Sequence, residues 1–189
     1  MRIGLFGGSF NPPHEAHRLV ALTALKRLGL DAVWWLVTPG NPLKARQPAP
    51  LADRLARARE VMRDPRVKIT ALEEKLGTRA TADTIEKLKA LYPGVTFVWL
   101  MGADNLVQFH KWGRWRDILR NVAVGVLARP GSGVAARTSV AARAFRVHQV
   151  DRGENLRGRK PPVWAFVNLP MNDASSTEIR AKGGWRSGR

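Results

Sequence analysis

The chain has 189 residues and no cysteine; 44% of its residues are hydrophobic, 25% are charged, and its formal net charge is +17. This length is typical of one well-buried core, so we predict a single domain with a loose tail over about 183–189. The lack of cysteine excludes disulfides and thiolate chemistry, and no apolar run reaches the roughly 18 residues that a membrane helix needs. Because the N-terminus has no signal-peptide pattern either, we expect a cytoplasmic protein without a membrane partner.

The positive charge raises the question of a nucleic-acid partner. It is spread along the chain, with +9 over residues 1–128 and +8 over residues 129–189. Neither a block of like charge nor an alternation of aromatic and basic residues marks a base-stacking surface. The sequence therefore disfavours nucleic acid and favours small anionic ligands, and it leaves the role of the basic segment 131–161 open.

Apolar runs and helical periodicity alternate along the chain. Strands are predicted at 3–6, 32–37, 67–69, 95–101, 122–127 and 163–167. Helices are predicted from 14 or 15 to 28, over 52–62, from 81 or 83 to 91, and over 176–182, while 131–161 has no readable pattern. This order predicts an α/β fold, a Rossmann-like open parallel sheet with helices on both faces.

The first predicted strand runs into the turn GLFGGSFNPPHEAH, residues 4–17, which holds two of the four histidines. Gly7 and Gly8 allow close approach of the backbone to a ligand and tolerate positive φ. The following helix directs its free N–H groups and positive dipole end at the same place, where His14 and His17 add two side-chain donors. The turn thus predicts a phosphate cradle.

Other readings of this turn fit less well. It lacks the G-x-x-x-x-G-K-[ST] phosphate loop and the dinucleotide G-x-G-x-x-G spacing. His-x-x-His is half of a metal site, but no cysteine or third clustered histidine completes it, so no protein-held metal is predicted.

Motifs near both ends of the chain resemble those of a known family. GGSFNPPHEAH (7–17) and SSTEIR (175–180) resemble the two signatures of the nucleotidylyltransferase superfamily. Between them lie NPLK (41–44), TRATADTI (78–85), MGADNLVQFHKWGRW (101–115) and VLARPG (126–131). In this order the motifs resemble the bacterial nicotinate-nucleotide adenylyltransferases over nearly the whole chain. Two positions depart from the family pattern: Ala16 replaces a glycine, and Ala174 replaces an apolar β-branched residue.

The resemblance implies transfer of AMP from ATP to nicotinate mononucleotide in NAD biosynthesis. The products are deamido-NAD (nicotinate adenine dinucleotide) and pyrophosphate, formed by direct in-line attack without a covalent intermediate. Mg²⁺ is expected to enter on the ATP phosphates, since the chain offers no evident carboxylate cage.

The resemblance also assigns residues. Catalytic roles are expected of His14, His17, Lys44 and Arg180. ATP is expected to contact Gly7, Gly8, Ser9, Phe10, His14, His17, Gly102, Asp104, Ser176, Thr177 and Arg180. Nicotinate mononucleotide is expected to contact Asn11, Lys44, Thr84, Phe109 and Trp112, with Trp112 as the platform for the pyridinium ring and backbone amides near Thr84 and 109–112 for the carboxylate.

Several alternatives stay open. A pantetheine-phosphate or cytidylyl-transferring relative would share both signatures, and a basic RNA-binding module would explain the charge but not the paired phosphate motifs. Spacing alone leaves Trp112 and Trp115 equally compatible with simple packing. Arg129 either approaches the nucleotide or lies in solvent. The preference for nicotinate over nicotinamide and the choice between monomer and homo-oligomer are not decided by the sequence.

Overall fold

The computed structural model describes residues 1–39, 47–129, 133–170, 176–183 and 185. Its first half contains β1 (Arg2–Gly8), α1 (Glu15–Arg27), β2 (Ala32–Val37), α2 (Leu51–Val61), β3 (Val67–Thr70), α3 (Leu72–Leu76), α4 (Thr81–Leu91) and β4 (Thr96–Gly102). The second half contains α5 (Ala103–Gln108), α6 (Trp115–Asn121), β5 (Ala123–Ala128), α7 (Gly133–Arg137), α8 (Val140–Ala144), β6 (Gln149–Val150), β7 (Trp164–Asn168) and α9 (Ser176–Ala181). Short 3-10 helices span Phe109–Lys111, Arg146–His148 and Gly153–Leu156.

Among these described residues, seven strands form one sheet in the order β3-β2-β1-β4-β5-β7-β6. Each pair of neighbouring strands is parallel. Continuous apolar runs such as AVWWLV in β2 suit this arrangement, because a parallel sheet is covered by helices on both faces. The predicted Rossmann-like open parallel sheet is confirmed.

Two apolar cores cover the two faces of the sheet. One core includes apolar residues of α4, α5 and α6, and the other includes those of α1 and α2. Helix α1 ends as expected, because Gly29, just beyond its last turn, adopts a left-handed φ of 59° that favours glycine. No helix within the described residues is long and apolar enough to cross a membrane.

The structure contains elements that the sequence patterns did not predict. Helices α3, α5 and α6 have only five to seven residues, too few to show a clear apolar period. The segment 131–161, left without elements, contains α7, α8 and the two-residue strand β6 at the sheet edge. The strand predicted at 163–167 is present as β7, and it pairs with β5.

The strand order places a crevice between β1 and β4. The chain leaves β1 toward β2 on one side, and it leaves β4 toward β5 on the other. In open α/β sheets, ligands bind beyond the carboxyl ends of the strands at this point of divergence. The fold therefore positions the turn after β1 next to the segment after β4.

Candidate active site

A cavity of about 480 Å³ lies at the carboxyl ends of the central strands. Nine of the residues expected to contact ATP line it: Gly7, Gly8, Ser9, Phe10, His14, His17, Gly102, Asp104 and Ser176. The structure therefore brings together the turn after β1, the start of α5 and the start of α9. Arg129, whose position the sequence left open, also lines it, as do residues that were not predicted, among them Ala103, Asn105, Leu127 and Leu169.

The two glycines of the turn differ from the prediction in conformation. Gly7 and Gly8 are the last residues of β1, and neither has positive φ. Gly7 is required by packing, because an added Cβ would lie 2.6 Å from an atom of the Trp99 ring. The left-handed residue of the turn is Phe10, with φ of 44°, a conformation that costs about 1–3 kcal/mol and is typical of ligand-binding turns.

The two histidines lie against each other at the start of α1. Their ring centroids are 3.9 Å apart, and the backbone N–H of His14 donates to Nδ1 of His17 at 3.2 Å. A neutral imidazole whose Nδ1 accepts a hydrogen bond carries its proton on Nε2. The backbone of the turn thus fixes His17 as an Nε2–H donor beside the cavity.

Electrostatics keep both rings neutral. Burial, with a smaller contribution from Arg129, lowers the pKa of His14 to about 4. Burial lowers the pKa of His17 well below its ordinary value, and His14 and Arg129 lower it further. The site therefore presents neutral N–H donors to an anion at neutral pH, and the cation that influences them is Arg129 at the end of β5.

A cluster of aromatic side chains packs against the His17 ring. Phe10 stacks on Trp35 with ring centroids 4.9 Å apart, and its ring also lies 4.9 Å from that of His17. Phe10 and Trp35 are at most 2% exposed. This packing limits the freedom of the His17 ring, which is the condition for a preorganised donor.

Helix α9 brings the far end of the chain onto the same turn. Ser176 Oγ donates to the carbonyl of Pro12 at 3.0 Å, and Arg180 donates through Nη1 to the carbonyl of Asn11. Arg180 Nη2 also donates to Thr177 Oγ1 at 3.3 Å. Thr177 and Arg180 do not line the cavity, so the structure places Arg180 on the wall that supports the turn.

Asn11 also receives two further donors. Its Oδ1 accepts from the backbone N–H of Ala49 at 3.2 Å and from Nε1 of Trp185 at 2.7 Å. Trp185 belongs to the tail that was predicted to be loose, and it contacts the turn. Lys44, another residue expected to contact nicotinate mononucleotide, lies outside the described residues.

A buried arginine that sequence reasoning missed holds this turn to its neighbours. Arg54 of α2 is only 1% exposed and donates to the carbonyls of Ala49, Ser9 and Thr38 at 2.7–2.8 Å. These carbonyls belong to the turn after β1, the end of β2 and the approach to α2. A helix arginine in an arginine-rich segment gives no sequence signal of burial, because solvent exposure is the rule for this residue type.

The residues expected at the pyridine end lie at different depths. Trp112 is partly buried and contacts Trp99 and Phe109 edge-on, with centroid distances of 6.3 Å and 5.2 Å. Phe109 is fully buried, and its amide and that of Trp112 donate within the chain to Leu106 and Phe109. Trp99 connects Trp112 to the turn, since the same ring packs on Gly7.

Thr84 lies within a buried polar network. Its hydroxyl is within hydrogen-bond distance of Thr78 Oγ1 at 2.8 Å and of Glu73 Oε1 at 3.4 Å, and its amide donates to the carbonyl of Ala80. Burial raises the pKa of Glu73 to about 7, which the hydrogen bond from Thr84 partly opposes. The hydroxyl and the amide of Thr84 are therefore both bonded inside the protein, at the start of α4, and the residue is fully buried.

Within the described residues, no group of three or more histidine, aspartate or glutamate side chains is placed to hold a metal ion. Asp104, the second residue of α5, is the acidic residue that lines the cavity. The fold and the position of the cavity are typical of nucleotide-binding α/β proteins, in which phosphate binds at a helix N-terminus.

Comparison with known proteins identifies the family to which the chain belongs. The cytidylyltransferase-like family model matches residues 5–182. Two relatives are named probable nicotinate-nucleotide adenylyltransferase. The one from Cereibacter sphaeroides strain ATH 2.4.1 is 62% identical, and the match covers 98% of this chain and 100% of that protein. The one from Ruegeria pomeroyi is 60% identical, and the match covers 97% of this chain and 87% of that protein. The chain belongs to the cytidylyltransferase-like family, among its nicotinate-nucleotide adenylyltransferases.

A solved structure has the same fold. Plasmodium falciparum nicotinic acid mononucleotide adenylyltransferase complexed with NaAD aligns with a TM-score of 0.69 at 18% identity, covering 95% of this chain and 82% of that one. The resemblance drawn from the motifs is confirmed by these comparisons.

Proposed function

We propose that the protein transfers the adenylyl group of ATP to nicotinate mononucleotide and releases pyrophosphate and nicotinate adenine dinucleotide. The observation that carries the proposal is the convergence of His14, His17 and Ser176, from opposite ends of the chain, on one cavity at the carboxyl edge. High identity to relatives named for this activity over nearly the whole chain supports the same reaction.

The chemistry requires little beyond alignment. The nucleophile is the phosphate of the mononucleotide, whose second pKa of about 6 leaves it mostly dianionic at neutral pH. An oxygen of this phosphate attacks the α-phosphorus of ATP in line, and the bond to the departing pyrophosphate breaks. No general base is needed, so orientation and stabilisation of developing charge account for catalysis.

His17 is the main donor to the α-phosphate in this proposal. Its Nε2 carries the proton because Nδ1 accepts from the backbone of His14, and its ring is packed on Phe10. His14 donates alongside it, and the N–H groups at the start of α1 add the positive end of the helix dipole. Because the donors are neutral and preorganised, charge that forms during transfer strengthens their hydrogen bonds without reorganisation.

The remaining contacts follow the cavity walls. Gly102 and Asp104 meet the ribose, with the carboxylate of Asp104 accepting from hydroxyl groups. Ser176, which lines the cavity, is assigned to the β- and γ-phosphates. Arg180, bonded to Thr177, lies outside the cavity and holds the turn through the carbonyl of Asn11. Lys44 is assigned to the mononucleotide phosphate. Mg²⁺ enters on the ATP phosphates and neutralises their charge when bound. We also infer a cytoplasmic location, in keeping with the absence of cysteine.

Trp112 is the platform for the pyridinium ring, through cation–π attraction and stacking. The first helical residues of α4, Thr81 to Asp83, have amides without acceptors in their own helix, and they are the donors we assign to the nicotinate carboxylate. Amide donors favour a carboxylate over a carboxamide, since the NH₂ of a carboxamide would face other donors.

Pyrophosphate release with ATP and Mg²⁺ tests the proposal, with nicotinate mononucleotide, nicotinamide mononucleotide and phosphopantetheine compared as acceptors. We expect strong turnover with the nicotinate nucleotide alone. Turnover with another acceptor only would keep the phosphate cradle and overturn the pyridine-site assignment. Absence of turnover with every acceptor, together with salt-sensitive RNA binding, would replace the enzyme by a binding protein.

A further inference from the structure

A second cavity, of about 370 Å³, lies at the opposite edge of the sheet. It is lined by residues at the amino ends of three strands: Arg2 of β1, Thr96 of β4 and Ala123 of β5. The candidate active site lies at the other end of β1, a strand of seven residues. At about 3.3 Å per residue, roughly 20 Å of strand separates the two cavities.

The lining of this second cavity combines positive charge with an apolar floor. Four cationic residues line it: Arg2, Lys89, Arg159 and Lys160. Its apolar residues include Val95, Phe97, Val122, Leu156 and Pro161. No acidic residue is among the described residues that line it. Asp31, which lies outside this lining, accepts the backbone N–H of Arg2 at 2.6 Å.

The cations retain donors and charge for a ligand. Nε and Nη1 of Arg2 are buried and have no hydrogen-bond partner within the part of the chain that the structure describes. Lys89 Nζ donates to the carbonyl and to Oδ1 of Asn121 at 2.9 Å and 3.3 Å, and these neutral acceptors fix its position without cancelling its charge. Buried donors without acceptors are costly, which an anion in the cavity would correct.

Like charges also converge around Arg2. Burial lowers the pKa of Arg2, Arg157 lowers it further, and Asp31 opposes both. Arg157, Arg159 and Lys160 all belong to the basic stretch LRGRK that precedes β7. The chain therefore gathers positive charge on one concave surface, an arrangement that costs free energy unless a polyanion binds there.

We propose that this cavity is a second binding site, which takes a small phosphate ester with an apolar or ring-shaped body. Its phosphate oxygens accept from Arg2, Lys89, Arg159 and Lys160, and its body lies on Val95 and Pro161, the partly exposed apolar residues of the lining. The cavity volume is within the range of small-molecule sites. An RNA strand fits the cavity less well, because the aromatic residue in its lining, Phe97, is only 3% exposed and offers no stacking face.

The test is a residue-resolved NMR titration of the full chain with inorganic pyrophosphate and, separately, with AMP. Saturable shifts of the Thr96 and Gly158 amides report the second cavity, and shifts of Gly7 and Gly8 report the candidate active site. The variant R159Q/K160Q removes two exposed cations of the cavity. Its matched control, K75Q/R143Q, removes the same two residue types from exposed positions that line neither cavity.

We expect both probes to shift Thr96 and Gly158, and R159Q/K160Q to raise the dissociation constant at these amides at least about tenfold. The control variant should change it less than about twofold, and Gly7 and Gly8 should respond alike in every variant. Shifts confined to Gly7 and Gly8 at up to about 10 mM probe would overturn the proposal. An equal rise of the dissociation constant in the control variant would overturn it too. A third titration with oligouridine tests RNA, and shifts of Thr96 and Gly158 with oligouridine but not with AMP or pyrophosphate would also overturn the proposal. Each readout is independent of turnover.

Discussion

In the turn after β1, all six residues expected to contact ATP line the cavity, from Gly7 to His17. Three residues between α4 and Trp112 were expected to contact the mononucleotide; of these, Thr84 and Phe109 are fully buried and Trp112 is partly exposed. Both regions carry family motifs, so the difference lies in their local structure. A turn exposes consecutive residues to a ligand, whereas a helix motif includes residues that hold the ligand-binding backbone in place.

The largest effect on activity is expected for His17, in the phosphate part of the site. His17→Ala removes a preorganised donor at the α-phosphate and should lower kcat about 10²–10³-fold, with little change in KM for nicotinate mononucleotide. Steady-state kinetics with both substrates measures this. His148→Ala, a histidine outside the cavity, is the control, and an unchanged kcat in His17→Ala would remove the catalytic role.

The next effect falls on the pyridine side. Trp112→Ala removes the aromatic face under a positively charged ring and should raise KM for nicotinate mononucleotide about 30-fold, equivalent to about 2 kcal/mol, with KM for ATP unchanged. Trp112→Phe should recover part of the loss. If Trp112→Ala instead only lowered the melting temperature, Trp112 would be a packing residue.

The stability of the protein should depend on pH in opposite directions through Glu73, in the network around Thr84, and through His14. The pKa of Glu73 is about 7 in the folded protein and about 4.5 when unfolded, so the folded state binds more protons between these values. Its contribution to stability is therefore complete below pH 4.5 and is lost as pH rises to 7. Over this window, Glu73→Gln should gain about 3 kcal/mol relative to the parent.

Urea unfolding at several pH values measures this gain, with Glu74→Gln, the exposed neighbour, as the control for loss of a carboxylate. The histidines act in the opposite direction: the pKa of His14 is about 4 when folded and 6.5 unfolded, so stability from this residue falls as pH drops from 6.5 to 4. A constant difference between Glu73→Gln and the parent would contradict the burial of a neutral Glu73.

Thr84→Val tests whether Thr84 contacts nicotinate mononucleotide or only stabilises the fold around it. The substitution keeps the shape but leaves Thr78 and Glu73 without a buried partner, which should cost about 1–3 kcal/mol of unfolding free energy. KM for nicotinate mononucleotide should change less than threefold, about 0.6 kcal/mol. Thr138→Val, at an exposed hydroxyl just after α7, is the control. A large rise in KM without loss of stability would make Thr84 a direct contact.

The smallest effect concerns Ala16, where the family pattern has glycine. Ala16 is 5% exposed within α1 and lines the cavity, so Ala16→Gly should lower the unfolding free energy by about 1 kcal/mol. The free volume gained beside the phosphates should change kcat/KM less than about twofold. An increase of tenfold or more would show that the methyl group crowds the triphosphate.

The sequence predicted the sheet because its strands are continuous apolar runs bounded by turns, as in Ala32–Val37. It predicted α1 and α4 within one or two residues, since each runs for three turns with glycine or proline nearby. It missed α3, α5 and α6, where helices of five to seven residues depend on tertiary packing.

Within the site, the family motifs predicted residues that line the cavity, including Ser176 from the far end of the chain, but they did not predict the side chains that hold the turn from other segments. The motif identified His14 and His17, but the burial of Arg54 under the turn comes from three carbonyls in separate segments. Likewise, the sequence named Gly7 for ligand approach, whereas its neighbour Trp99 lies 92 positions later in the chain and is seen only in the folded sheet.

The most direct test of the central claim uses nicotinate mononucleotide with ¹⁸O in all terminal oxygens of its phosphate. Mass spectrometry of the products with ATP and Mg²⁺ shows which oxygen joins the two nucleotides. If the mononucleotide phosphate attacks the α-phosphorus of ATP, every labelled oxygen is retained in nicotinate adenine dinucleotide and pyrophosphate is unlabelled. Label in pyrophosphate, loss of label from the dinucleotide, or no dinucleotide at all would contradict the account.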